Sequence, residues 1–306
     1  MLGLDTILVT GASGFIGRNL SSFLENRGFN VTRTDIVGDV DIVSDLRNTD
    51  WKEYNLEDYD AIVHLGAKIS VPESIEKPDL YQDVNVKATR NLFQSCAEAG
   101  VSKVVFASSA AVYGEVEGGV MTVGLEGRNT SPYAETKILG EEIADELATE
   151  STKITCLRFF NVYGPGQQHS SPYASVIPIF VEKMRKGEEI TIFGNGQQTR
   201  DFIHVDDICK SISNSFDFDL PRFSRYNLGT GDSVSINTVV NYLREIYSDF
   251  GTEIGNVIKS HPREGDILHS VAELSTNAPF FDISGKVPLY DGLRDLVRRT
   301  LDESDA

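Results

Sequence analysis

The run Ile7-Leu8-Val9-Thr10, followed at once by Gly11-Ala12-Ser13-Gly14-Phe15-Ile16-Gly17, constrains the fold of this chain more than any other feature. A short apolar, β-branched strand enters a glycine-rich turn, and a helical period begins directly after it. Glycines at such a turn let backbone N–H groups approach a phosphate, which then sits at the positive end of the helix. The spacing is GxxGxxG, which an ordinary glycine-rich connection would also satisfy. Its position narrows the reading, because Asp35 closes the next strand candidate 18 residues beyond Gly17. A carboxylate there takes ribose hydroxyls and repels a 2′-phosphate, which favours NAD over NADP. Arg33, on the same strand face, is the opposing feature.

Short β-branched runs then alternate with longer helical segments as far as about residue 160. Strands are expected at Thr6–Thr10, Asn30–Asp35, Asp41–Ser44, Ala61–Leu65, Lys103–Ser108 and Ile154–Phe159, and helices at Phe15–Arg27, Leu80–Ala99 and Tyr133–Thr149. That alternation is the pattern of βαβ units, so the fold class is α/β with a doubly wound parallel sheet. Beyond Phe160, Pro165, Pro172, Pro178, Gly194 and Gly196 interrupt the pattern. A smaller mixed α/β C-terminal domain is expected from 166–196 and 233–306, with 1–165 as the cofactor domain. Segments near 197–232, among them Arg200–Asp207 and Tyr226-Asn227-Leu228, are candidates to return to the sheet. Gly114–Thr130 reads as a loop beside the site.

With 306 residues, 40% of them hydrophobic, the chain has material for about two domain cores. Its 46 acidic and 28 basic residues give a net charge of −18, which repels nucleic acid and anionic membrane surfaces. Cys96, Cys156 and Cys209 show no paired or zinc-binding spacing, nor do His64, His169, His204, His261 and His269. A reducing, cytoplasmic setting without a bound metal is expected, since the N-terminus carries no basic segment followed by an apolar run.

Two constellations carry chemistry. Tyr133 and Lys137 stand at i and i+4 of a helix opened by Ser131-Pro132, so they share a face. At ~6 Å and an effective dielectric of ~20, a lysine attracts a phenolate by about 3 kcal/mol, or roughly two pKa units. Lys137 and a positive nicotinamide together are therefore expected to draw Tyr133 towards neutrality, where it can act as a general base. A plain surface helix carries the same spacing by chance. Ser108 and Ser109 leave a strand at its C-terminal end, where ligands bind in open α/β sheets, although either hydroxyl could simply close the strand's hydrogen bonds.

With Gly11–Gly17, Asp35, Asp45-Leu46, His64–Ala67, Asn85, Ser109–Gly114, Tyr133–Lys137, Arg158–Gly166, Gly194–Asp207, Tyr226–Gly231 and Arg263–Asp266, the chain resembles the extended short-chain dehydrogenase/reductases. Within them it is similar to the NAD-dependent nucleotide-sugar epimerases of the UDP-glucose 4-epimerase type, and the likeness spans nearly its whole length. The resemblance implies a Rossmann cofactor domain. Gly11, Gly14, Phe15, Ile16 and Gly17 would hold the pyrophosphate, Asp35 and Ile36 the adenosine ribose, and Asp45 with Leu46 the adenine. Leu65, Gly66, Ala67, Lys68, Asn85 and Phe160 would follow the cofactor towards its nicotinamide.

By the same resemblance Tyr133 is the base, Lys137 binds the nicotinamide ribose, and Ser109 bonds the sugar O4. The implied reaction inverts C4 of a UDP-hexose through a transient 4-keto sugar. Asn161, Ser175, Val176, Arg200, Arg263, Asp266 and Ser270 would contact the substrate. Ser175 stands where some relatives have Asn, and Phe202 where some have Tyr. The 4,6-dehydratases of the group carry an acidic pair where this chain has Ala110 and Ala111, which disfavours dehydration. Ser270 replaces a bulky aromatic and suggests room for an N-acetylated sugar. A homodimer through the helices near 80–99 and 132–149 is implied too. The alternatives are a dehydratase, decarboxylase or 4-keto reductase, or a non-catalytic NAD-binding sensor.

Overall fold

The structure is a computed structural model of the chain and describes residues 5–126, 131–169, 175–262 and 267–302. Seven strands form one parallel sheet, in the order Phe223–Leu228, Lys153–Phe159, Lys103–Ser109, Ala61–His64, Thr6–Thr10, Asn30–Asp35, Ile42–Val43. Ile7, Leu8 and Val9 are all fully buried. Successive strand residues point to opposite faces, so an unbroken apolar run demands cover on both. Ile7 and Val9 pack with Leu20 and Leu24 of the Phe15–Asn26 helix and Ile208 and Ile212 of the Val205–Ser215 helix. Leu8 packs on the other side with Leu92, Phe93 and Cys96 of the Ala88–Ala99 helix.

The helix expected over Leu80–Ala99 runs without a break but is not α-helical throughout. It consists of Pro78–Tyr81, a π-helical turn at Gln82–Lys87, and Ala88–Ala99. Such wide turns concentrate at functional sites, and Asn85 lies buried in this one.

Of the segments expected to return, only Phe223–Leu228 enters the large sheet, beside Lys153–Phe159. Arg200–Asp207 does not. Thr199–Arg200 joins a four-stranded sheet with Val234–Ser235, His269–Ala272 and Val120–Met121, while Phe202–His204 pairs with Asn161–Tyr163. Asn161–Tyr163 runs past the point where the neighbours of Lys153–Phe159 stop pairing with that strand, so it needs its own backbone partner. The Gly114–Thr130 loop likewise contains an unexpected strand, since Val120–Met121 aligns with Val271–Ala272.

A separate core marks the second, smaller domain. Phe180, Met184, Ile190, Val239, Leu243, Tyr247, Leu293 and Val297 pack together there. They come from the helices Val176–Arg185, Ile236–Asp249 and Leu289–Asp302 and the strand Ile190–Phe193. No described helix is long and apolar enough to cross a membrane.

Candidate active site

The C-terminal ends of the parallel strands open onto a cleft of about 870 Å³, the position where open α/β sheets take their ligands. Gly11 leaves the first strand at φ +70°, and a Cβ there would fall 2.6 Å from the Gly66 nitrogen. At Gly17 a Cβ would come within 2.2 Å of the Gly11 carbonyl. Both positions thus require glycine. The helix beginning at Phe15 has Gly14 as its N-cap and no side-chain cap, so its first N–H groups face the cleft without a side-chain partner. Arg18 bonds the carbonyls of Ser13 and Gly166 at 2.8 and 3.0 Å, fastening this turn to the far wall.

Gly14, Phe15, Ile16, Asp35, Ile36, Asp45 and Leu46 all line this end of the cleft. The Asp35 carboxylate accepts the Ser13 and Ile36 backbone N–H groups at 3.0 and 2.7 Å, which fixes it at the strand end. Arg33 turns away and pairs with Asp41 at 3.1 Å, so it does not compete for a ligand of Asp35. Arg47, absent from the sequence-based set, also lines the cleft, and its guanidinium holds Asp45 below the usual carboxylate range.

Leu65, Gly66, Ala67 and Lys68 form the floor. Asn85 does not line it. Its side chain bonds the backbone N–H and C=O of Lys68, each at 2.8 Å, and reaches Thr136 at 3.1 Å. It therefore ties the floor to the helix carrying Tyr133.

Ser109, Tyr133 and Lys137 meet at the middle of the cleft. Ser131 caps the Pro132–Leu147 helix through the Ala134 N–H, and buried Ser74 accepts the Tyr133 N–H at 3.1 Å. Ser109 accepts the Ala111 N–H at 3.1 Å, which leaves its own hydrogen to donate to an oxygen in the cleft. The Lys137 Nζ lies 5.9 Å from the Tyr133 ring centre, close to the spacing expected. Its donation, however, is to the Ala107 carbonyl at 2.8 Å. Burial raises the Tyr133 phenol above the usual tyrosine range, with the Ser109 hydroxyl opposing, and burial lowers Lys137 to about 8. Desolvation thus sets the direction at Tyr133, and the Ser109 hydroxyl is what opposes it.

On the opposite side, Phe160, Asn161, Ser175, Arg200 and Ser270 line the cleft. Val176, the first residue of its helix, does not, and Arg263 and Asp266 lie outside the described residues. Met121 and Gln167 line it as well and were not expected. Ser270 donates to the Met121 sulfur at 3.4 Å. Gln167 donates through Nε2 to the Val162 carbonyl at 3.1 Å, while its Oε1 and the Ser175 Oγ are buried without a partner among the described residues. Orphaned polar atoms in a cleft wall are the signal for a ligand contact, and only three-dimensional structure reveals them.

Residues 7–229 match the NAD dependent epimerase/dehydratase family. The chain belongs to that family. A putative UDP-glucose 4-epimerase from Methanocaldococcus jannaschii is 31% identical over 304 residues, covering 95% of this chain and 97% of its own. A UDP-N-acetyl-alpha-D-glucosaminuronate decarboxylase from Bacillus cytotoxicus is 29% identical over 291 residues, covering 89% and 88%. Among solved structures, the UDP-N-acetylglucosamine 4-epimerase of Methanobrevibacter ruminantium M1, in complex with UDP-N-acetylmuramic acid, superposes with a TM-score of 0.88 at 31% identity. That superposition covers 98% of this chain and 99% of the other.

NAD is the cofactor of this epimerase/dehydratase family, and the residues of this member fit it. Two glycines admit no side chain where a pyrophosphate would approach, the helix start lacks a side-chain cap, and a fixed carboxylate closes the second strand. When bound, NAD supplies reversible acceptance of a hydride from the substrate carbon.

Proposed function

We propose that this chain is a UDP-hexose 4-epimerase acting on UDP-glucose and UDP-galactose and on their N-acetylated counterparts. The observation that carries the reading is the pairing of Ser109 and Tyr133 on one cleft wall with Ala110 and Ala111 beside them. Tyr133 accepts the proton of the sugar 4-hydroxyl and later returns it. Ser109 donates a hydrogen bond to the same oxygen and stabilises charge as it develops there. Lys137, held by the Ala107 carbonyl, keeps a positive charge next to the phenol. Ala110 and Ala111 follow Ser109 directly and offer no carboxylic acid to protonate a leaving oxygen, so water is retained and the 4-keto sugar is reduced again.

Asn161, Ser175 and Arg200 hold the diphosphate side in this reading, joined by Arg263, and Asp266 takes the nucleotide ribose. Residues 1–165 with the returning strand Phe223–Leu228 carry the cofactor in this reading, and the smaller domain caps the sugar. Small Ser270 leaves space for an acetamido group. The Gln167 Oε1, an acceptor without a partner among the described residues, suits the N–H of such a group.

A homodimer through the 78–99 and 132–147 helices belongs to the same proposal. Ile143 is in the protein's own core with Leu147 packed against it, and Ile138 packs against a separate cluster that includes Val112 and Tyr113. Leu139 is in neither set, and light scattering at twice the mass of one chain would support the pairing. Purified protein incubated with UDP-glucose or UDP-GlcNAc and followed by proton NMR tests the function. An equilibrium mixture of C4 epimers without net NADH is expected; release of water or carbon dioxide overturns the reading.

A further inference from the structure

Asp201 is fully buried and does not line the cleft. Among the described residues its carboxylate has no cationic hydrogen-bond partner. Oδ1 accepts the Thr230 N–H and hydroxyl, both at 2.7 Å, and Oδ2 accepts the Gly231 and Ala272 N–H groups at 2.8 and 3.1 Å. The Asp201 carbonyl accepts the Asn161 N–H at 2.9 Å. One residue thereby joins the start of Asn161–Tyr163, the end of Thr199–Arg200, the turn after Phe223–Leu228 and the end of His269–Ala272.

The close approach is built into the backbone. A Cβ at Gly229 would fall 2.8 Å from Asp201 Oδ2 and 2.7 Å from the Ala272 Cβ. In the small sheet Arg200 lies opposite Ser270, two residues before the Ala272 N–H that Asp201 holds. Slippage between these strands would move both side chains relative to the cleft.

We propose that Asp201 is a positioning residue that sets Asn161, Arg200 and Ser270 against one another in the substrate half of the cleft. The proposal rests on the reading of those three residues as nucleotide-sugar contacts. A carboxylate is required because four donors converge on two oxygens. An asparagine would oppose its own N–H groups to one pair of them.

The test is UDP binding by calorimetry, with bound dinucleotide measured on the same preparations. Asp201→Asn is expected to weaken UDP binding by about tenfold or more, as a misplaced clamp does, while bound NAD stays at the wild-type level. Thr230→Val deletes one donor and keeps the carboxylate, so a smaller weakening in the same direction is expected. Folded variants with unchanged UDP affinity overturn the proposal, as does loss of NAD in step with UDP. Should Asp201→Asn fail to fold, unchanged UDP affinity in Thr230→Val overturns it alone. A wild-type protein that binds no UDP overturns the functional reading itself, and this proposal with it.

Discussion

Arg158 and Glu141 form a two-point ion pair between the sheet and the tyrosine helix, with bonds of 2.8 and 2.6 Å and both residues buried. Glu141 also accepts the Ser108 hydroxyl at 2.5 Å, and Arg158 reaches Glu126 at 2.7 Å and covers the Tyr113 ring. The pair thus fastens the strand end bearing Ser109 to the helix bearing Tyr133. Removing Glu141 leaves buried Arg158 with the less buried Glu126 as its remaining partner and Ser108 without its acceptor, so Glu141→Ala is expected to destabilise the protein by up to about 3 kcal/mol, the lower end for a broken buried pair. Urea denaturation checks this, and a cost under about 1 kcal/mol would show that the site relaxes or hydrates.

His64 sets part of the acid sensitivity. Its ring is buried between Phe93 and Phe106 and bonds Thr10 and Thr89 at 2.7 and 2.9 Å. Burial, with Lys137 adding to it, lowers its pKa from 6.5 to about 3. The unfolded chain therefore binds a proton in that window that the folded chain refuses, and stability falls as pH falls from 6.5 towards 3. The slope from one such group is about 1.4 kcal/mol per pH unit. His64→Gln is expected to flatten the stability profile between those limits by that amount, measured by denaturation at several pH values. An unchanged acid limb would place the sensitivity in other groups.

The parallel sheet was legible because apolar runs such as Ile7-Leu8-Val9 are long enough to demand cover on both faces. The glycine turn was legible because its residues are adjacent in the chain. Asn85 was legible as a residue of interest, but its tie between Lys68 and Thr136 was not, since the π turn that buries it leaves no mark in an amphipathic stripe. Val120–Met121 was read as loop because two residues carry no periodicity; its partner lies about 150 residues away. Asp201 escaped notice for the same reason: its partners at Thr230, Gly231 and Ala272 are brought together only by the small sheet and the turn beside it.

Tyr133→Phe keeps the ring and the helix but removes the group that exchanges a proton. Turnover of UDP-sugars is expected to fall by roughly 10²–10⁴-fold, with bound NAD and UDP affinity unchanged. Ser109→Ala is expected to cost less, because it removes one donor to the reacting oxygen and leaves the base in place. Progress curves with each variant, alongside dinucleotide content, check the pair. Full activity in Tyr133→Phe would move the base assignment to another residue.

Ser270 is buried beside Met121, and its strand neighbour is Arg200, so in the proposed reading its side chain lies at the seam between the sugar and diphosphate contacts. A tyrosine at this position must displace the Met121 thioether or project into the cleft. Met121 is itself held by its carbonyl, which accepts the Asn227 amide and the Glu273 N–H at 2.8 and 3.0 Å, so its backbone cannot withdraw. The added ring therefore takes volume from the cleft. Ser270→Tyr is expected to lower kcat/KM for UDP-GlcNAc at least about tenfold more than for UDP-glucose, the scale on which a steric clash separates related substrates. Competition between the two sugars in one tube, read by proton NMR, measures that ratio directly. Equal losses on both substrates would assign Ser270 a general binding role and reject size selection at this seam.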